Sequence, residues 1–224
     1  MAYDLEEQEQ LASLKAFWNQ FGNLLSWVAI AAMTAFAGYA WWNKHQHEQA
    51  EKASELYVTL QKEVTAKDNA KVQRIAGDMQ ANFGGFKLAG MAVGAASYAP
   101  MSALVAAKSA FDANDLKTAK AQLQWAIEHG NDEYKSVAKL RLAGVLLDEK
   151  AYDDGLKLLS GDFAPHFTSA VADRKGDLLV AQNKLPEARA AYQAALDATD
   201  KKDPARGLIE MKLESIGGSA KTPA

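Results

Sequence analysis

The longest uninterrupted apolar stretch of the chain, residues 23–42, reads NLLSWVAIAAMTAFAGYAWW and stops at Asn43-Lys44. No charged residue occurs from Ala16 to Asn43. As a helix, Leu24 to Trp42 spans roughly 28 Å, close to the roughly 30 Å hydrocarbon core of a bilayer. Phe17, Trp18 and Phe21 precede the run and Tyr39, Trp41 and Trp42 close it. Such a two-sided aromatic belt suits the headgroup layers of a membrane and has no purpose in a buried core helix. A cleaved signal peptide needs a basic leader. Ala35-Phe36-Ala37 offers a small-residue cleavage pattern, but the leader carries Asp4, Glu6, Glu7 and Glu9 against Lys15 alone. The pattern favours an uncleaved single-span anchor over residues 23–43, ahead of a cleaved signal or a soluble buried helix. Residues 1–22 read as an acidic amphipathic tail with apolar positions at Leu5, Leu11, Leu14, Phe17, Trp18 and Phe21. Within the span, Ala31, Thr34, Ala35 and Gly38 share a helix face on which a partner helix could approach closely. The many Ala of this segment also produce such a stripe by accident.

Beyond the anchor the apolar spacing is three and four. In HQHEQAEKASELYVTLQKEV it selects Ala50, Ala53, Tyr57, Leu60 and Val64, which predicts a first packing helix or, alternatively, a short coiled-coil stalk. Further on the pattern repeats. Ala107 and Ala119, Ala143 and Gly155, and Gly176 and Ala188 are small pairs with one common spacing, and a larger residue follows at Leu123, Leu159 and Tyr192. Two antiparallel helices in close contact need small residues where they cross. The polar links DANDLK, DEKAYD and AQNKLP separate the paired helices, and Pro186 suits a first helical turn, where a missing N–H does no harm. Pro100 suits a helix start in the same way. This is the pattern of tetratricopeptide-like repeats of near 34 residues stacked as a solenoid. The fold expected is all-α: one transmembrane helix, then a tetratricopeptide-like helical-hairpin domain over residues 44–216, with residues 217–224 a disordered tail. NFGGFKLAGMAVGAASYAP fits no repeat; its Gly84, Gly85, Gly90 and Gly94 suggest an irregular connection with a short helix.

Charge narrows the function. The net charge is −3, and the N-terminal tail supplies all of it, since four acids less Lys15 leave 24 basic and 24 acidic residues beyond the anchor. A neutral domain lacks the basic footprint of a nucleic-acid binder. Lys15 on one side of the span against Lys44 and Lys52 on the other slightly favours a cytoplasmic C-terminal part. There is no Cys, hence no disulfide framework and no thiol nucleophile. His45, His47, His129 and His166 include no pair at i, i+4, and no nucleophile elbow, dinucleotide fingerprint or phosphate loop occurs. The expectation is therefore no enzyme, no cofactor and no metal site.

A solenoid offers a long concave surface, lined mainly by the first helix of each repeat, to a peptide or partner protein. Repeat position nominates Met101, Leu104, Lys108 and Phe111; Val137, Leu140, Leu147 and Asp148; and Asp173, Asp177 and Val180. For the apolar members, a place in the core is the competing reading.

The leader YDLEEQEQLASLKAFW, the anchor ending WWNKHQ, the segments AKAQLQWAI, VAKLRLAGVLL and VADRKGDLLVAQNKLPEARAAYQAAL, and the ending EMKLESI resemble the YfgM family of bacterial inner-membrane proteins. The resemblance covers residues 3–216. It implies an ancillary subunit of the SecYEG translocon, with its N terminus in the cytoplasm and its repeats in the periplasm. The subunit would work beside the membrane-anchored chaperone PpiD and meet emerging secretory polypeptides. On orientation it opposes the lysine count. The alternative is a membrane-tethered repeat scaffold for another envelope assembly, or a protein that binds a regulator.

Overall fold

A computed structural model of the protein describes residues 3–84, 87–88, 91–92 and 94–219. The chain divides into two compact units, Met1–Gln49 and Ala50–Ala224. Helix α1, Tyr3–Thr65, contributes to both.

In the first unit, Trp27 is 66% exposed and Phe36 74%, and Leu24, Val28, Ile30 and Met33 are exposed too. No residue of the apolar window of α1 is buried, so the core-helix alternative falls. A helix that is apolar around its circumference and uncovered needs lipid or another apolar surface. This segment of α1 is long and apolar enough to cross a membrane. Its hydroxyls are satisfied within the helix: Ser26 Oγ donates to the Gly22 carbonyl and Thr34 Oγ1 to the Ile30 carbonyl, each at 2.8 Å. That removes the cost of carrying them through hydrocarbon.

The second unit is a run of helical hairpins. The end of α1 packs on α2 (Asn69–Phe83); α3 (Tyr98–Asp112) pairs with α4 (Leu116–His129), α5 (Asp132–Asp148) with α6 (Tyr152–Leu158), and α7 (Thr168–Ala181) with α8 (Leu185–Asp197). Helix α9 (Ala205–Ser215) closes the array. The three hairpins expected from the small pairs are all present, and Pro186 lies in the first turn of α8.

Each hairpin turns through one residue in the left-handed region: Lys67 (φ 56°), Asn114 (φ 60°), Lys150 (φ 62°) and Asn183 (φ 59°). The next amide reaches back across the turn. Asp68 N–H donates to the Glu63 carbonyl at 3.0 Å, Asp115 to Ala110 at 2.8 Å, Ala151 to Leu146 at 2.8 Å and Lys184 to Leu179 at 2.9 Å. This Schellman closure satisfies carbonyls that the helix end would leave unpaired. Asp68 and Asp115 then cap the following helix, accepting the Lys71 and Thr118 amides at 3.0 Å. Those bonds hold both carboxyls below their ordinary value: for Asp68 the backbone bond from Lys71 leads, for Asp115 the side-chain bond with Thr118.

All six small residues at the crossings are buried. A Cβ added at Gly155 would lie 3.0 Å from Leu178 Cδ1, and one at Gly176 only 2.4 Å from Tyr192 Cε1. Leu123, Leu159 and Tyr192 fill the next layer and are at most 3% exposed. The first hairpin has the same spacing about Lys67, but holds Leu60 and Val72 at the crossing, both fully buried. The core is a row of local clusters, as an array of repeats requires: Leu60, Val72 and Met79; Leu104, Leu123 and Leu142; Ala143, Leu159 and Leu178; Tyr192, Leu196, Ile209 and Leu213. A chain of side-chain amides ties α2 to α4: Gln80 donates to Gln122 at 2.6 Å, and Gln122 to Gln73 at 3.0 Å.

In the glycine-rich connection Lys87–Leu88 pairs antiparallel with Met91–Ala92, and a single 3-10 turn, Gly94–Ser97, leads into α3. Gly85 and Gly90 lie outside the described residues. The fold is all-α apart from this two-residue ladder. The tail expected from residue 217 begins as a helix cap. Gly217 (φ 74°) turns the chain, and its N–H and that of Gly218 close on the Glu214 and Leu213 carbonyls at 2.9 and 3.0 Å. Residues 220–224 lie outside the described residues.

Candidate functional site

Helices α3, α5 and α7 are the first helices of their hairpins, and together they border a groove of about 390 Å³. Its floor is Ala107, Leu123 and Val145, all buried, with Gly144 beside them. Lys108, Phe111 and Asp112 stand on the α3 side, Arg141, Leu147 and Asp148 on α5, and Arg174 on α7. Phe111 is 40% exposed and presents an aromatic surface at the groove. The arrangement follows from periodicity: Lys108 and Phe111 are three apart on α3, and Arg141, Gly144 and Asp148 share one face of α5.

The polar groups differ in what they already hold. Lys108 pairs with Asp112 one turn on, and Arg174 Nη1 lies 3.5 Å from Asp177 Oδ2. Arg141 Nη1 donates to the Leu104 carbonyl at 3.1 Å, and burial draws its pKa below the ordinary value for arginine. It stays charged at any physiological pH. Asp148 is exposed.

Of the residues nominated by repeat position, Lys108, Phe111, Leu147 and Asp148 line the groove. Leu104, only 7% exposed, is part of the core with Leu123 and Leu142, and Val137 packs against that cluster. Leu140 packs against the Leu159 cluster and Val180 against the Tyr192 cluster. Met101 is half-buried on α3. Asp173 and Asp177 are engaged from within the chain. Lys212 of α9 lies 2.8 Å from an oxygen of each, and the Tyr192 hydroxyl donates to Asp177 Oδ1 at 2.9 Å. Burial, followed by that bond to Asp177, pushes the Tyr192 phenol far above its ordinary pKa. In the first unit Ala31, Thr34, Ala35 and Gly38 are exposed.

Arg141 and Arg174 were not nominated, because repeat position selected their neighbours Leu140 and Asp173 instead. A tyrosine group was also missed. Tyr57 and Tyr98 have ring centroids 5.8 Å apart, and the Tyr134 phenol is raised by burial and then by Tyr57. All three are half-buried and sit on first helices of hairpins. The signal was available: Tyr134, Arg141 and Asp148 recur every two turns on α5.

Comparison with known proteins adds three findings. The tetratricopeptide repeat-like domain family matches residues 15–218. The chain is similar to the ancillary SecYEG translocon subunit of Neisseria gonorrhoeae, with 30% identity over 218 residues, covering 96% of this chain and 100% of that one. It is similar to the protein of the same name from Escherichia coli K12 (30% over 211 residues, 94% and 96%) and from Haemophilus influenzae (28% over 217 residues, 96% and 100%). No solved structure gives a significant match.

Proposed function

The chain belongs to the family of ancillary SecYEG translocon subunits, with its tetratricopeptide repeat-like domain, and from that membership we propose that it is a single-pass inner-membrane adaptor whose repeats work on the periplasmic side. Its N terminus lies in the cytoplasm. The repeats receive a PpiD-like chaperone, or segments of secretory polypeptide as they leave the translocon, and pass those segments onward without acting on them chemically.

The observation that supports this most is the groove between α3 and α5, apolar in its floor and edged by charges of both signs, on a chain that also carries an uncovered apolar helix. Unfolded segments present mixed side chains in no fixed order, and a shallow groove of mixed character accommodates them weakly. Weak contact is enough. Tethering next to the exit makes the encounter intramolecular in effect, at a local concentration in the millimolar range for short tethers.

Site-specific photocrosslinking tests the reading. A crosslinker at Phe111 or Asp148, inside the groove, is expected to trap a PpiD-like partner or a nascent chain, whereas one at Val58, 48% exposed on α1, gives much less. Absence of both products from the groove positions in translocating cells would overturn it.

A further inference from the structure

We propose that the groove selects a zwitterionic extended segment: a carboxylate on the segment pairs with Arg141, an apolar side chain enters between α3 and α5, and a cation pairs with Asp148. The inference rests on the reading of the repeats as a polypeptide-binding surface and adds the chemistry of what they prefer.

The charges decide the class of ligand. Lys108 and Asp112 neutralise each other, and Arg174 has Asp177. Arg141 gives one N–H to an uncharged carbonyl, and a guanidinium has five to give. Among the described residues no carboxylate lies within ion-pair distance of Arg141, and no cation or donor lies on Asp148. The groove therefore offers one unmatched charge of each sign. A phosphate-bearing ligand, nucleic acid or anionic lipid, would meet Asp112 and Asp148 as well as the cations.

Spacing suits an extended conformation. Arg141 and Asp148 are two turns apart on one face of α5, about 10.5 Å along the axis. Gly144 lies between them, and its missing side chain leaves room for the Arg174 guanidinium, whose Nη1 would stand 3.7 Å from a Cβ there. An extended chain rises about 3.3 Å per residue and turns every second side chain to the same face, so an acid and a base four residues apart, spanning about 13 Å, reach the two charges with the side chain midway between them pointing down. A short stretch of unfolded chain matches that spacing.

Full-length protein in detergent micelles is titrated with three dye-labelled peptides, Gly-Glu-Ser-Leu-Ser-Lys-Gly and its Glu/Glu and Lys/Lys counterparts, by fluorescence anisotropy. The expected result is about fivefold tighter binding of the Glu/Lys peptide than of either counterpart, in keeping with two partly exposed ion pairs, fading at high salt. Asp148→Lys should shift preference to Glu/Glu, Arg141→Glu to Lys/Lys, and the double variant should prefer Glu/Lys again. Circular dichroism checks that each variant keeps its helices, and recovery in the double variant is a second control on folding. Equal binding of the three peptides, no binding of any, or preferences that ignore the swaps would overturn the proposal. Co-purification of translocon subunits with the wild-type chain separates the two claims: if they co-purify while the peptides are not discriminated, the adaptor reading stands and this inference alone fails.

Discussion

At Gly176 the Tyr192 ring occupies the volume that a Cβ would need, with Cε1 at 2.4 Å. Gly176→Ala should therefore destabilise the repeat domain by about 1–3 kcal/mol, the usual cost of overpacking. At Gly77, exposed within α2, a Cβ meets nothing within 4 Å. Gly77→Ala should stabilise by about 0.5–1 kcal/mol, because only the backbone entropy term remains. Urea denaturation of the two variants reads both signs in one experiment. The capping carboxylates set the acid limb of stability. Asp68 and Asp115 titrate below 3.8 in the folded chain, so the unfolded chain takes up protons first and stability falls as pH drops from about 4 through the folded values. Asp115→Asn keeps an acceptor for the Thr118 amide but removes the charge, and should make the acid limb shallower. Acid titrations of stability for the two proteins check it.

The elements owe their ends to a turn that uses the left-handed region without glycine. Lys67, Asn114, Lys150 and Asn183 all adopt it, and for Lys the strain is about 1 kcal/mol. Lys150→Gly should thus raise stability by roughly 0.5–1 kcal/mol while leaving the fold unchanged, whereas Lys150→Val should lower it; thermal melts separate the two. The helical hairpins were legible because Ala107, Ala119, Ala143, Gly155, Gly176 and Ala188 are small for a reason that repeats. The first hairpin was not, because Leu60 and Val72 occupy the same crossing and remove the small-pair signal. The shared turn would have disclosed it. The groove was only partly legible. Lys108, Phe111, Leu147 and Asp148 follow from repeat position, but Leu104 and Leu140 are drawn into packing on neighbouring helices, and Arg141 takes the exposed place beside Leu140. Asp173 and Asp177 could not be assigned from their own helix, because what engages them is Lys212, far along the chain on α9. Lys212→Met should cost about 1–2 kcal/mol by removing the cation that the partly buried Asp173 and Asp177 share and leaving only Arg174 beside Asp177, measurable by chemical denaturation.

For the whole molecule, a neutral repeat domain and an uncharged apolar helix divide the work. The helix supplies location and the hairpins supply a surface, so affinity for any one segment need not be high. The aromatic residues at both ends of the apolar run read as membrane belts, but the side on which the domain lies is not legible: Lys15 against Lys44 and Lys52 is too small a bias to fix it. Sidedness therefore carries the account. Protease added to spheroplasts, with intact and lysed cells as the two references, tests it most directly, using a tag at the N terminus to follow the anchor. The account predicts that the hairpins are digested in spheroplasts but not in intact cells, leaving a tagged, membrane-held fragment that ends near Gln49. Full-length protein surviving in spheroplasts and cleaved only after lysis, or a soluble form without its first forty or so residues, would contradict it.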